Sequence, residues 1–162
     1  MSDRKPLISK IKHYIKEILL FAVFMLVLAN AISFYKSGDL NKEPLEINYP
    51  FDNSKPVLIH IWATWCPTCK LEASNIQSLS QNHQVLTFVV RSGTDTEIQK
   101  YMSENDLDFN TINDEDGFFA DKFNVSAYPT TLIYNKDKEL IFSEVGYTST
   151  FGLKLRMWYA SL

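Results

Sequence analysis

Residues 57–70 read VLIHIWATWCPTCK, an apolar run that passes directly into both cysteines of the chain. The six residues VLIHIW predict a buried β-strand, because the run is short, apolar and rich in β-branched side chains. Cys66 and Cys69 follow where this strand ends and where a helix has room to begin. The stretch therefore predicts a strand, a turn and a helix start, with two thiols at the turn.

The residues that follow predict a βαβ unit. Apolar residues recur at helical spacing within residues 70–82, and VLTFVV at 85–90 predicts a second buried strand. A strand, a helix and a strand within this length predict two parallel strands joined by a right-handed crossover. Residues 94–104 predict a further helix, with Thr94 or Asp95 as its N-cap.

The C-terminal part of the chain predicts a hairpin between two helices. Residues 117–123 predict a short helical piece, and residues 131–134 and 140–145 predict the two strands of a β-hairpin. Apolar residues between positions 150 and 160 predict a terminal helix. Together these elements predict an α/β domain over residues 51–162.

The N-terminal part has the charge and hydropathy pattern of a membrane anchor. Residues 18–34 read ILLFAVFMLVLANAISF and contain no charged side chain. A helix over 14–35 would be about 33 Å long, against a hydrocarbon core of roughly 30 Å. All five Lys and Arg residues before position 36 lie within 4–16. The positive-inside rule therefore predicts that the rest of the chain is exported across the membrane.

This pattern divides the chain into four predicted parts. They are a basic cytoplasmic segment (1–17), a transmembrane anchor (18–35), a linker with a short strand near residues 45–49 (36–50) and the folded domain. A buried helix and a cleaved signal peptide are alternatives for the apolar segment. Ala29-Asn30-Ala31 has the small-x-small form of a cleavage site, whereas the long basic region favours an uncleaved anchor.

Composition and charge exclude several classes of protein. Apolar residues make up 46% of the chain, and it contains only 5 Gly and 6 Pro, which excludes collagen, low complexity and global disorder. Residues 36–162 carry 11 basic and 17 acidic side chains, a balance of -6. An acidic domain binds phosphates poorly, so no nucleic-acid partner is predicted.

The cysteine spacing predicts thiol–disulfide chemistry. At a helix N-terminus, unpaired N–H groups and the positive end of the helix dipole favour the thiolate of Cys66. Pro67 fits the first helical turn, where its missing N–H is not needed. Cys69 lies about one turn further, within reach of a disulfide with Cys66. We expect Cys66 to be exposed and to attack, and Cys69 to be shielded and to resolve the mixed disulfide.

Other uses of the cysteine pair are less well supported by the sequence. A structural disulfide over a four-residue loop would remove little chain entropy. A zinc site would need further ligands, and the three histidines (His13, His60 and His83) are scattered. A covalent haem site would need a histidine where Lys70 stands. Copper binding by the two cysteines stays open as an alternative function.

The sequence also resembles a known family. IWATWCPTC at residues 61–69 resembles the active-site strand and turn of thioredoxin-fold proteins, in particular the membrane-anchored, exported TlpA-like branch. Downstream, RSG at 91–93, IND at 112–114 and GYTS at 146–149 resemble the copper-sensitivity-suppressor D subgroup, known as protein disulfide oxidoreductases. The resemblance covers about residues 40–160. It implies a thioredoxin fold, a central mixed sheet flanked by helices, behind one N-terminal transmembrane helix.

The resemblance implies roles for individual residues. Cys66 matches the attacking cysteine and Cys69 the resolving one, with Trp65 and Pro67 as supporting neighbours. Glu72 matches an acidic residue that assists proton transfer, three positions after the second cysteine. From the residues alone, Glu72 is as well explained as a solvated helix residue.

A second group of implied residues surrounds the family's cis-proline, which Pro129 matches. Tyr128 and Thr130 flank it as substrate-binding residues, and the backbone of residue 128 would pair with a substrate strand. Thr130 stands where cytochrome-maturation proteins carry an acid, which argues against apocytochrome as the substrate. His60 occupies the place of a buried acid in cytosolic thioredoxins, as a supporting residue or as a core histidine.

The resemblance further implies an enzyme of the bacterial inner membrane, anchored by a single pass, with its catalytic domain in the periplasm. Its partners would be periplasmic protein thiols and disulfides and a transmembrane thiol electron carrier. No cofactor is predicted beyond the redox-active Cys66–Cys69 disulfide, and no metal. We expect a reductant, because Glu72 and the acidic domain oppose the stabilisation of the thiolate by Lys70 and the helix dipole.

Overall fold

The structure is a computed structural model that describes residues 4–38, 40, 45 and 47–162. The first helix, α1, spans Arg4–Ser37, and several of its side chains lie outside this description: those of residues 4–11, 26, 29, 30, 34, 36 and 37. The chain divides into two compact units, Met1–Tyr35 and Lys36–Leu162.

The N-terminal unit is helical. The predicted anchor at 18–35 lies within α1, and its described large apolar side chains are exposed. Among the described residues, no helix combines the length and the apolar character that crossing a membrane requires. The predicted cleavage motif at 29–31 lies within α1, and the side chains of its first two residues lie outside the description. The predicted linker, with its short strand, lies partly outside the described residues: residues 39, 41–44 and 46 are not described, and residues 47–49 form no strand.

The second unit is built on one five-stranded mixed sheet in the order β3-β2-β1-β4-β5. Strand β1 pairs in parallel with β2 and antiparallel with β4; β3 extends the parallel side and β5 the antiparallel side. The strands are β1 (Val57–Trp62), β2 (Gln84–Val90), β3 (Thr111–Asp114), β4 (Thr130–Tyr134) and β5 (Leu140–Val145). The prediction of a βαβ unit followed by a hairpin is confirmed.

Helices cover both faces of this sheet. They are α2 (Pro67–Ser80), α3 (Asp95–Glu104), α4 (Phe118–Lys122) and α5 (Thr150–Ala160). Because side chains alternate along a strand, β1 contributes Leu58 and Trp62 to a core with α2, α3 and α5. Ile59 and Ile61 point to the opposite face and pack with residues of α4. Burial on both faces explains why β1 is apolar throughout.

One strand differs from the sequence prediction. Strand β3 was not predicted, because its four residues, TIND, include a single apolar side chain and the strand lies at a sheet edge. Helix α2 begins at Pro67, which confirms the predicted position of Cys66 at the helix N-terminus and of Pro67 in the first turn. Its first turn carries the redox motif in place of an amphipathic pattern, so the hydrophobic periodicity by itself begins only at residue 70.

Candidate active site

The cysteines lie where β1 ends and α2 begins. Cys66 is the N-cap of α2, with the extended backbone that a cap requires (φ -84°, ψ 116°), and Pro67 occupies the first turn. The backbone N–H of Cys69 donates to the Cys66 sulfur at 3.2 Å. The sulfur therefore takes the position of a capping acceptor, as the sequence predicts for a thiol at a helix N-terminus.

Cys69 is shielded as the sequence predicted, but Cys66 is more enclosed than predicted. Cys66 is only 6% exposed and Cys69 1% exposed, so the expectation of an exposed Cys66 is wrong. The reason is a loop contact, because the Cys66 thiol donates to the Tyr128 carbonyl oxygen at 3.6 Å. The difference in burial between the two thiols nevertheless runs in the predicted direction.

The loop that covers Cys66 contains the proline singled out from the sequence. The Tyr128–Pro129 peptide bond is cis, as the resemblance implied. The Pro129 carbonyl accepts the N–H of Gly146 at 2.8 Å, which ties the loop to the end of β5. The Tyr128 ring packs edge-on against Trp65, with ring centroids 5.7 Å apart. Cys66, Trp65, Tyr128 and Pro129 thus form one site.

Thr130 and His60, in contrast, are buried in the sheet and do not face the surface of this site. Thr130 was predicted to bind substrate, but its side chain is buried and its hydroxyl donates to the Ala127 carbonyl at 2.8 Å. That hydroxyl is used to shape the loop, which leaves no surface for direct substrate contact. His60 is buried in β1 with Nδ1 2.9 Å from the Thr131 hydroxyl, and burial lowers the pKa of its imidazole to about 3. The interpretation of His60 as a core histidine fits this position.

Glu72 is a buried carboxyl on α2, so its interpretation as a solvated helix residue is wrong. Its Oε1 accepts the backbone N–H of Thr148 at 3.1 Å, and its Oε2 has no hydrogen-bond partner among the described residues. Burial raises the pKa of Glu72 to about 8; the Thr148 N–H opposes this shift and the nearby charge of Glu144 adds to it. A carboxyl with this pKa can both hold and release a proton near neutral pH.

The Cys69 thiol is difficult to ionise in this setting. Burial raises its pKa far above the ordinary value, and its hydrogen bond with Cys66 acts in the same direction. A hydrogen bond with the Ala63 backbone partly opposes the rise, and the negative charges of Cys66 and Glu72 add to it. An ionised Glu72, one helical turn away, therefore makes loss of the Cys69 proton more difficult.

Sequence reasoning missed three residues that hold this site through hydrogen bonds, two with backbone groups and Ser92 with its hydroxyl oxygen. Thr148 supplies the N–H to Glu72, and Arg91 supplies the carbonyl that accepts the Trp65 indole N–H at 3.1 Å. Ser92 accepts the backbone N–H of Thr64 at 3.0 Å. All three lie in the RSG and GYTS motifs that marked the family resemblance. The motifs indicated the family but not these contacts, which join segments far apart in the chain.

A C-x-x-C pair that caps a helix after the central strand, under a cis-proline loop, defines the class of thioredoxin-like proteins. Comparison with known families agrees with the geometry, because the Redoxin family matches residues 28–154. The match covers most of the chain, and the protein belongs to the Redoxin family.

Individual relatives support the same assignment. The chain is 36% identical over 110 residues to a thioredoxin-like protein of Haemophilus influenzae, covering 67% of this chain and 65% of that protein. It is 29% identical over 90 residues to the thiol-disulfide oxidoreductase ResA of Oceanobacillus iheyensis, covering 53% of this chain and 47% of the relative. The chain thus spans about half to two thirds of the length of these curated relatives.

Solved structures confirm the fold. A secreted Mycobacterium tuberculosis disulfide oxidoreductase, homologous to DsbE of E. coli, superposes with a TM-score of 0.57 at 23% sequence identity. The superposition covers 65% of this chain and 82% of that one. The predicted thioredoxin fold, a mixed sheet flanked by helices, is therefore confirmed for the C-terminal unit.

Proposed function

We propose that this protein is an exported thiol–disulfide oxidoreductase that exchanges disulfides with other proteins through Cys66 and Cys69. The observation that carries the proposal is the environment of the Cys66 sulfur. It accepts the Cys69 N–H at 3.2 Å and lies 3.6 Å from the Tyr128 carbonyl of the cis-proline loop. A thiolate would keep the N–H donor, while a substrate strand beside residue 128 would present its sulfur to Cys66.

The exchange proceeds in two displacements. The Cys66 thiolate attacks one sulfur of the substrate disulfide, a mixed disulfide forms and the other substrate sulfur leaves as a thiolate. Cys69 then loses its proton and attacks the Cys66 sulfur, which releases the second substrate thiolate and closes the Cys66–Cys69 disulfide. Two electrons pass from the protein to the substrate. Glu72 accepts the Cys69 proton in this step through its unpartnered Oε2 when it is ionised, a form that its pKa of about 8 leaves as a minor fraction at neutral pH.

The proposed direction is reduction of the substrate. A disulfide catalyst is strongly oxidising when its reduced form is much stabilised by a low thiol pKa. Here burial opposes ionisation of the Cys69 thiol, and the balance of -6 over residues 36–162 disfavours further negative charge in the domain. Equilibration of the full chain with glutathione tests the direction. A potential of about -200 mV or lower supports a reductant, and one near -120 mV contradicts it.

The proposed location is the periplasmic face of a bacterial inner membrane, with residues 18–35 as a single-pass anchor. The uncharged stretch 18–34 and the basic residues before it support this topology. One of the structural neighbours is a secreted protein. Within this location, the resemblance to the copper-sensitivity-suppressor D subgroup favours a transmembrane thiol carrier as the electron source.

Trapping of the mixed disulfide tests the exchange function directly. In Cys69→Ala the second displacement cannot occur, so covalent complexes with substrate proteins should accumulate. Dithiothreitol should reduce the mixed disulfides and separate these complexes. Cys66→Ser is the matched control and should trap nothing. Complexes that form equally well in Cys66→Ser would contradict the assigned roles.

The copper-binding alternative predicts a different result. Among the described residues, no group of three or more His, Cys, Asp or Glu side chains could hold a metal ion together. A site made by the cysteine pair alone would show as stoichiometric Cu(I) binding to the reduced chain, lost in both single cysteine variants. Tight Cu(I) binding without insulin reduction would replace the proposed function by the copper alternative.

A further inference from the structure

The exchange reaction leaves unused a cation that lies beside the active site. Arg91 follows β2 directly, and its carbonyl oxygen accepts the Trp65 indole N–H at 3.1 Å. The Trp65 ring packs against Tyr128, whose own carbonyl receives the Cys66 thiol. These contacts place Arg91 at the rim around the attacking sulfur.

The backbone fixes Arg91 in a conformation that an arginine rarely adopts. Its φ is +46°, in the left-handed region, which costs roughly 1–2 kcal/mol for a residue with a Cβ atom. Its N–H donates to the Asp114 carbonyl at 3.1 Å, so both backbone polar groups of Arg91 are bonded. Strained residues of this kind cluster at binding and catalytic sites.

The side chain of Arg91 is held as well. Its Nη2 donates to the Asp116 carbonyl at 3.2 Å. A Cβ atom added to Gly117 would lie 2.8 Å from the same nitrogen, so the guanidinium packs directly on the Gly117 backbone. Gly117 also has a φ of +83°, which independently favours glycine. The guanidinium thus has a defined position despite its exposure.

The charge of Arg91 is not neutralised by an ion pair among the residues that the structure describes. The Asp114 carboxylate is buried and accepts the N–H groups of Phe119 and Ala120 at 3.1 and 2.9 Å. Burial raises the pKa of the Tyr128 phenol, and the positive charge of Arg91 opposes this rise. Arg91 therefore acts electrostatically on the loop that a substrate would contact.

Two exposed aromatic side chains belong to the segments that contact Arg91. Trp65 is 57% exposed, and Phe118, next to Gly117, is 65% exposed. We call the three side chains Trp65, Arg91 and Phe118 the Arg91 rim. Aromatic residues and arginine are the residue types that protein interfaces concentrate, because they bury large area at low entropic cost.

We propose that the Arg91 rim binds the substrate segment next to its reacting cysteine and prefers segments that carry a carboxylate side chain. The inference rests on the proposed exchange function and adds a substrate class to it. A guanidinium matches a carboxylate with two parallel hydrogen bonds, and a prepositioned arginine loses little entropy on binding. The net negative charge of the domain would repel such a segment, but this repulsion acts at longer range, where salt screens it.

Single-turnover exchange with matched peptides tests the preference. The peptides differ only in having Asp, Asn or Lys beside one cysteine, which is held as a mixed disulfide with mercaptoethanol. The reduced full chain donates two electrons, the peptide and mercaptoethanol leave as thiols, and Cys66–Cys69 becomes a disulfide. Release of peptide thiol is followed by mass spectrometry. Division by the rate with dithiothreitol removes the intrinsic effect of the neighbouring charge on the disulfide.

The wild-type chain should react with the Asp peptide about two- to fivefold faster than with the Asn peptide, the range for an exposed ion pair. The ratio should fall to about one in Arg91→Gln and invert in Arg91→Glu. Lys136→Gln removes the same charge from the exposed loop after β4, which lies beside the start of β1 and so at the opposite end of the sheet from Cys66, and should keep the wild-type ratio.

The possible outcomes separate the two proposals. Equal rates with Asp and Asn peptides, or a ratio unchanged in Arg91→Gln, would contradict the inference and leave the exchange function standing. A preference for the Lys peptide would also contradict it. Such a result would indicate that the exposed carboxylates of Glu115 and Asp116, and not Arg91, determine which peptide charge is preferred. Absence of exchange with every peptide would contradict the proposed function, and the inference with it.

Discussion

Glu72 and His60 are two ionisable side chains that are buried in the folded domain. Burial favours the neutral form of each side chain. For Glu72 the neutral form is the protonated one, and for His60 it is the deprotonated one. Burial therefore raises the pKa of Glu72 to about 8 and lowers the pKa of His60 to about 3. The two residues should impose opposite pH dependences on stability.

For Glu72 we predict a loss of stability as the pH rises. The unfolded chain releases this proton near pH 4.5, whereas the folded chain holds it to about pH 8. Between these values ionisation favours the unfolded state, by a total on the order of 5 kcal/mol. Urea unfolding of the reduced protein from pH 6.5 to 8 should show the upper part of this fall in wild type and not in Glu72→Gln. Glu104→Gln, on an exposed side chain of α3, should keep the wild-type slope; a flat wild-type profile would contradict the prediction.

For His60 the sign is reversed. The unfolded chain takes up a proton below about pH 6.5, while the buried imidazole resists protonation to about pH 3. Stability should therefore fall as the pH drops through this window. Between pH 4.5 and 6.5 the two effects oppose each other, so we expect stability to be greatest there. Urea midpoints measured across pH 3–9 check this, and a maximum above pH 8 would contradict it.

At the scale of elements, helix α3 is set by its N-terminal capping box. The Thr94 hydroxyl accepts the Glu97 N–H at 3.4 Å, and the Glu97 carboxylate accepts the Thr94 N–H at 2.8 Å. The helix buries only Ile98 fully, so little packing would compensate for loss of the cap. Its stability should depend on local hydrogen bonds more than that of α2.

We predict that Thr94→Ala lowers the free energy of unfolding by about 1 kcal/mol, because an N–H at the helix start loses its acceptor. Urea unfolding monitored by circular dichroism measures the change. Thr96→Ala makes the same chemical substitution at an exposed position inside α3 and should alter the free energy by only a few tenths of a kcal/mol. Equal losses in the two variants would contradict the assignment of the effect to the cap.

In the whole molecule, a helical N-terminal unit precedes a redox domain. The charge pattern predicts that the N-terminus stays in the cytoplasm and that the redox domain is exported. Alkaline phosphatase fused after Leu162 should be active, since the enzyme needs an oxidising compartment, and the fusion should stay with membranes on alkaline extraction. Replacement of the five basic residues before position 17 by Gln should reduce phosphatase activity, because it removes the signal for orientation. A soluble fragment beginning at Ile32 would show cleavage instead of anchoring.

Local composition and residue spacing were enough to predict the α/β class, the thiol pair and most helices and strands. A strand such as VLIHIW and the helix at Thr150–Ala160 are specified by local composition and periodicity. The position of Cys66 at a helix N-terminus follows from the same local rules. The edge strand β3 escaped this reasoning, because its pairing with β2, and not its composition, makes it a strand.

Contacts between distant chain segments determine which polar side chains are buried and which groups form hydrogen bonds in the site. Glu72 is enclosed because Thr148, 76 residues away, closes over it, and the Cys66 thiol is covered by the carbonyl of Tyr128, 62 residues away. The Thr130 side chain is buried and held by its hydrogen bond within the loop, and the hydrogen bond from Trp65 holds Arg91 at the rim of the site. Such contacts depend on chain segments brought together by the folded sheet. Local propensity acts over a few residues, so it has no access to them.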